Sequence, residues 1–102
     1  VQAFRGKMVN VHPALLPAFG GKNMYGAHVH KAVHAEGRKR SGMTIHWVNE
    51  NYDEGDILFQ ASTSIAPGDS PEMIAKKVLR LEHSWYPAVI ERLLGIRKTY
   101  QL

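Results

Sequence analysis

Apolar and polar positions alternate first at Met8–His12, where Val9 and Val11 would face one side of a strand and Asn10 and His12 the other. An amide and an imidazole thereby share one face. Pro13 has no N–H to give a ladder, so the strand, about Lys7 to Val11, is expected to end near His12, where a loop begins. In open α/β sheets, ligands bind at such strand ends. Taken alone, His12 has a plainer alternative, a histidine satisfied within a core or a turn.

The pattern continues in a regular order. Phe19 to Asn23 carries Gly20 and Gly21 and reads as a turn-forming loop. From about Ala27 to Glu36, Val29, Ala32 and Val33 recur at helical spacing, and Gly37 is placed to stop that helix. His28, His30 and His34 decorate it. His30 and His34, one turn apart, form a formal metal pair, but no carboxylate or thiolate at fitting spacing completes a site, so all three are expected at the surface or in loops. Ser41 to Val48 sets Met43, Ile45 and Trp47 against Thr44, His46 and Val48, the period of a strand. The polar loop from Asn49 to Asp56 holds Glu50, Asp53, Glu54 and Asp56, and nothing local singles out one carboxylate. A third strand follows from Ile57 towards Ile65. Asp69 or Ser70 can cap a last helix, with Pro71 in its first turn and Glu72 at the positive end of its dipole. It is expected to run toward Gly95 on a stripe of Ile74, Val78, Leu81, Val89 and Leu93, to break or kink at Pro87, and to leave 96–102 as a short extension. Alternating strands and helices, with no repeat or linker, imply one α/β unit spanning 1–102.

Composition narrows the class. A chain of 102 residues with 44% hydrophobic content can bury one small core. The absence of cysteine excludes a disulfide framework and a thiolate metal site. No apolar run reaches the length of a membrane-spanning helix and the first residues lack a signal-peptide core, so a cytoplasmic protein without membrane contact is expected. The chain opens without Met and enters a strand almost at once, as a fragment of a longer protein would. Its net charge of +4 gathers at Arg38–Arg40, Lys76–Lys77 and Arg97–Lys98, without a groove-reading motif or interleaved aromatics, so nucleic acid is not an expected partner. Arg38–Arg40 reads as a solvated loop after a helix C-terminus, where the dipole favours cations. A phosphate-bearing substrate would give positive charge a second use.

The stretch from Asn10 to Pro17, with Phe19–Gly21, His46 and Asp53–Gly55, resembles the catalytic half of the folate-dependent formyltransferases, closest to the branch that acts on glycinamide ribonucleotide. The likeness runs from Phe4 to about Leu94 and corresponds to the family's C-terminal half. It implies a Rossmann-like, mostly parallel sheet with flanking helices, the opening strand in its middle and other strands in a missing N-terminal half. It also implies a catalytic triad of Asn10, His12 and Asp53, with His46 as a pocket residue beside it or a buried structural histidine. Glu82, His83, Tyr86 and Pro87 match a stretch of the glycinamide enzymes whose glutamate touches the ribonucleotide, which makes Glu82 the expected substrate contact.

The reaction so implied is formyl transfer from 10-formyltetrahydrofolate, the co-substrate, to the amine of glycinamide ribonucleotide, with no metal. Methionyl-tRNA formyltransferases and formyltetrahydrofolate deformylase share the three residues and remain alternatives, as does a non-catalytic folate-binding fragment. The family's phosphate-binding loop lies in the missing half, so the chain alone is expected to be inactive. A bare edge on the opening strand, and thin cover over Val9 and Val11, are expected to drive it into a homo-oligomer.

Overall fold

The computed structural model describes residues 2–4, 7–20, 24–48 and 56–100, with side chains for 9–20, 24–48 and 56–95. The element order is β1 (Gln2–Phe4), β2 (Lys7–His12), α1 (Ala27–Ala35), β3 (Arg40–Trp47), β4 (Ile57–Ser64) and α2 (Pro71–Tyr100). The strands form one sheet in the order β1-β2-β3-β4, and all three neighbouring pairs are antiparallel. The α/β class is as expected from the sequence. The parallel pairings of a formyltransferase-type sheet, however, are not made among these four strands. The reason is in the connections: residues 13–39 leave β2 at His12 and re-enter β3 beside it, with His12 opposite Thr44, so α1 is an excursion over one face and not a crossover.

The opening strand differs from expectation at its edge. Gln2–Phe4 fold back as β1 and pair with Lys7–Val9, so β2 is interior to the sheet, and the bare edge expected on it is covered over those residues. Val9 is fully buried as well. The thin cover expected over the Val9 and Val11 face is confined to Val11, which is half-buried.

β3 lies between β2 and β4, and its residues from Ser41 to His46 are buried in an unbroken run instead of alternating. Both of its faces are covered. On one, Val9, Met43 and Ile45 pack with Val29 and Val33 of α1 and Ile74 and Val78 of α2. Each such side chain contributes roughly 1.5–3 kcal/mol by leaving water. On the other, the loop after β2 lies across Gly42, where a Cβ would fall 2.1 Å from the Ala61 carbonyl oxygen and 2.8 Å from Leu15 Cδ2. Only glycine fits there.

The helices end as the sequence suggests. Gly37 takes φ +64 and donates to His34 O (3.0 Å) while Arg38 N reaches Val33 O (3.4 Å), a Schellman closure that uses glycine's freedom at positive φ. Ser70, and not Asp69, caps α2: its Oγ accepts from Met73 N at 3.2 Å. Asp69 Oδ2 instead accepts from Ala66 N (2.8 Å) and pairs with Lys77. The expected break at Pro87 does not occur. α2 is one helix of 30 residues that passes through Pro87 and beyond Gly95 to Tyr100. Pro87 and His83, the residue whose carbonyl loses its helical donor, are both exposed, so water can satisfy that carbonyl and the break is not forced.

Candidate active site

The β2–β3 register builds the candidate site. Asn10 stands opposite His46 and His12 opposite Thr44, so these four side chains share one face of the sheet. That is the face the sequence assigns to Asn10 and His12. The β3–β4 register shifts between Ile45, opposite Phe59, and His46, opposite Ile57.

Thr44 holds the loop after β2 in place. Its Oγ1 donates to Ala14 O (2.7 Å) and accepts from Leu16 N (3.0 Å) and from Gln60 Nε2 (3.0 Å), and Gln60 Nε2 also reaches Leu16 O (3.0 Å). One hydroxyl thus satisfies two backbone groups of a segment thirty residues away. Beyond that segment the Leu16–Pro17 peptide is cis, and Phe19 sits at φ +56, a region residues with side chains seldom occupy. The Phe19 carbonyl lies 2.7 Å from His12 Nε2. A carbonyl only accepts, so Nε2 carries the proton, and the ring is oriented by the same loop that Thr44 anchors. The Arg38 guanidinium covers the Phe19 ring, 5.0 Å from its centroid.

The expected residues fall as follows. His12 is 3% exposed at the end of β2, and Asn10 is half-buried beside it. His46 is buried, and its Nδ1 donates to Trp47 O at 2.9 Å. Asp53 lies outside the described residues. Glu82 stands on α2 between two clefts. One, of about 740 Å³, is lined by Val11, Glu82, Tyr86, Pro87, Ile90 and Leu94 among others. The other, of about 380 Å³, lies between the two helices beside Pro13 and His30. Burial lifts the Glu82 carboxyl above the usual range, with His83 opposing.

Among the α1 histidines, His28 and His34 are exposed as expected, but His30 is 7% exposed and buried beside Val29 and Val33. The helical spacing carried this signal, since His30 is adjacent to Val29 and one turn before Val33. Its imidazole is held below the ordinary histidine pKa by burial and, second, by the charge of His12. Among the described residues no group of three or more His, Cys, Asp or Glu side chains could hold a metal. No described helix is long and apolar enough to cross a membrane.

The arrangement offers an amide and an oriented imidazole on one face at a strand end, a donor set suited to an oxygen that gains negative charge. Residues 1–90 match the formyl transferase family. A phosphoribosylglycinamide formyltransferase, chloroplastic, of Arabidopsis thaliana is 54% identical over 90 residues, covering 88% of this chain and 31% of that protein. The phosphoribosylglycinamide formyltransferase of Bacillus subtilis is 44% identical over 96 residues, covering 94% of this chain and 47% of that one. The crystal structure of phosphoribosylglycinamide formyltransferase from Bacillus halodurans superposes with a TM-score of 0.74 at 38% identity, over 84% of this chain and 42% of that one. The chain therefore spans less than half the length of these relatives.

Proposed function

We propose, from the premise that this chain belongs to the formyl transferase family, that it is the C-terminal catalytic half of an enzyme that moves a formyl group from 10-formyltetrahydrofolate to the amine of glycinamide ribonucleotide. The observation that carries this reading is the pairing of Asn10 with His12 on one face, with the His12 ring set by the Phe19 carbonyl. The relatives named for that reaction support the choice of substrates.

Attack of an amine on a formyl carbon places negative charge on the formyl oxygen. In this reading the Asn10 amide donates to that oxygen, and the His12 imidazolium stabilises it. Asp53 keeps His12 protonated and helps carry the proton from the attacking nitrogen to the leaving one, directly or through water. His46, buried and fixed by its bond to Trp47 O, stands opposite Asn10 and backs the site. Glu82 contacts the ribonucleotide. No step is assigned to a metal, and the setting we propose is the cytoplasm.

Methionyl-tRNA formyltransferase and formyltetrahydrofolate deformylase activities would use the same three residues, as noted above. Pro13 and the stretch of Glu82, His83, Tyr86 and Pro87, by their likeness to the glycinamide enzymes, favour the glycinamide acceptor over those two. The test is a turnover assay with formyl folate and each acceptor, run on the chain alone and with its N-terminal half supplied separately. Transfer to glycinamide ribonucleotide only when both halves are present is expected. Transfer by the chain alone would reject the division into halves, and a preference for another acceptor would reject the substrate.

A further inference from the structure

The cleft between α1 and α2 has two polar groups on an apolar lining. Ala27, Ala75, Val78 and Leu79 supply carbon surface, Glu82 enters from α2, and His30 enters from α1. His30 is an unusual occupant of such a wall. The residue is 7% exposed, and its Nδ1 makes no hydrogen bond among the described residues. Nδ1 is sealed from solvent. Nε2 is therefore the nitrogen left to meet whatever enters the cleft.

A buried imidazole without a partner costs stability, since each polar group taken from water unpaired forfeits its hydration. A hydrogen bond from a bound molecule to Nε2 would give the ring one partner, while Nδ1 stays sealed in the wall. The charge balance narrows what the molecule presents. Burial and, second, the charge of His12 lower the His30 pKa, which disfavours an imidazolium in this wall. The Glu82 carboxyl, lifted by burial, is likewise poorly suited to remain a bare anion there. An imidazole and a carboxyl over a carbon floor suit a group that both donates and accepts hydrogen bonds and carries C–H surface. Hydroxyls on a sugar ring have that chemistry. Pro13 lines the same cleft immediately after His12, so a ligand held there lies next to the candidate catalytic histidine.

We propose that His30 hydrogen-bonds through Nε2 to a hydroxyl of the formyl acceptor, across the α1/α2 cleft from Glu82, and so is a binding residue for that substrate. The identity of the acceptor rests on the function proposed above; the role of His30 rests on the cleft. A merely structural His30 would act on stability and on both substrates alike, whereas a binding residue acts on one of them.

The test uses the chain assembled with its N-terminal half and compares it with His30→Ala and His30→Asn. Calorimetry reads the Kd for glycinamide ribonucleotide without formyl donor, and steady-state kinetics read both KM values. His30→Ala is expected to weaken ribonucleotide binding about 3- to 10-fold, the scale of one neutral hydrogen bond, while the KM for formyl folate moves less than about twofold. His30→Asn, whose amide both donates and accepts, is expected to recover much of the loss and also serves if His30→Ala does not fold. Ribonucleotide binding by both variants within about twofold of the unsubstituted protein would overturn the proposal, as would equal losses for the two substrates. If the unsubstituted protein binds the ribonucleotide with a His30-dependent Kd but transfers no formyl group, the proposed function fails and the role of His30 stands. If it does not bind the ribonucleotide, the ligand assignment falls with it.

Discussion

The Thr44 hydroxyl donates to the Ala14 carbonyl at 2.7 Å, tying an interior strand of the sheet to the loop that begins at the candidate catalytic histidine. The same oxygen accepts from Leu16 N. Thr44→Val keeps the shape of the side chain but strands the buried Ala14 carbonyl and Leu16 N–H. Loss of about 2 kcal/mol or more is expected in urea unfolding, since each stranded group costs about 1–3 kcal/mol. Thr44→Ser keeps the hydroxyl and is expected to lose much less. Equal losses for the two variants would mean that packing of the methyl group, and not the hydroxyl, anchors the loop.

Gly42 sits where β3 passes under that loop. A methyl group there meets the Ala61 backbone oxygen, and a backbone atom in a central ladder cannot give way as the end of a side chain can. Gly42→Ala is expected to destabilise the chain by roughly 1–3 kcal/mol, the range for overpacked cores. An alanine variant with an unshifted denaturation midpoint would contradict the close approach.

The acid limb of stability has a named source. Lys77 and then the Ala66 N–H hold the Asp69 carboxyl below its ordinary value of 3.8. Because its folded pKa lies below its unfolded one, its contribution is present above the ordinary value and is lost as pH falls through the depressed one. Asp69→Asn is expected to lower stability at neutral pH and to flatten the decline below pH 3.8. A pH series of thermal melts in which the variant parallels the unsubstituted chain would rule out Asp69 as that source.

Self-association is expected of the isolated chain, through a different surface from a bare strand edge. The groove of about 740 Å³ between Val11 and α2 is rich in apolar groups, and Trp85 and Leu94 on the same helix are 44% and 45% exposed. Sedimentation at micromolar concentration is expected to show a dimer that Leu94→Glu weakens and that addition of the N-terminal half dissolves. A monomer throughout that range would show that this face needs no cover.

Much of the fold was legible because local chemistry and packing agree. Gly37 ends α1 where helical spacing stops, and the Ser70–Pro71 start of α2 follows from capping preferences alone. Where packing from distant residues decides, the sequence was silent or pointed elsewhere. The six-residue buried run of β3 depends on the loop after β2 covering its second face, and neither Thr44 nor Gln60 advertises that role. The continuation of α2 through Pro87 depends on which side of the helix faces water. Of the candidate site, Asn10 and His12 were marked by strand alternation and Pro13, and Glu82 by resemblance. His30 reads as surface because it is a histidine among histidines on a short helix, although its place beside Val29 and Val33 puts it on the buried stripe. Asp53 is one of several carboxylates in a polar loop, and only likeness to relatives separates it from its neighbours.

The central claim, that Asn10, His12 and Asp53 act together in formyl transfer, is tested most directly by one rate comparison. In the chain assembled with its N-terminal half, formyl transfer to glycinamide ribonucleotide is measured for the unsubstituted protein and for Asp53→Asn, with folding checked by circular dichroism. A loss of roughly 10²- to 10⁴-fold in kcat is expected, the scale of a positioned acid–base group. A folded Asp53→Asn protein that transfers formyl groups at close to the unsubstituted rate would contradict the account.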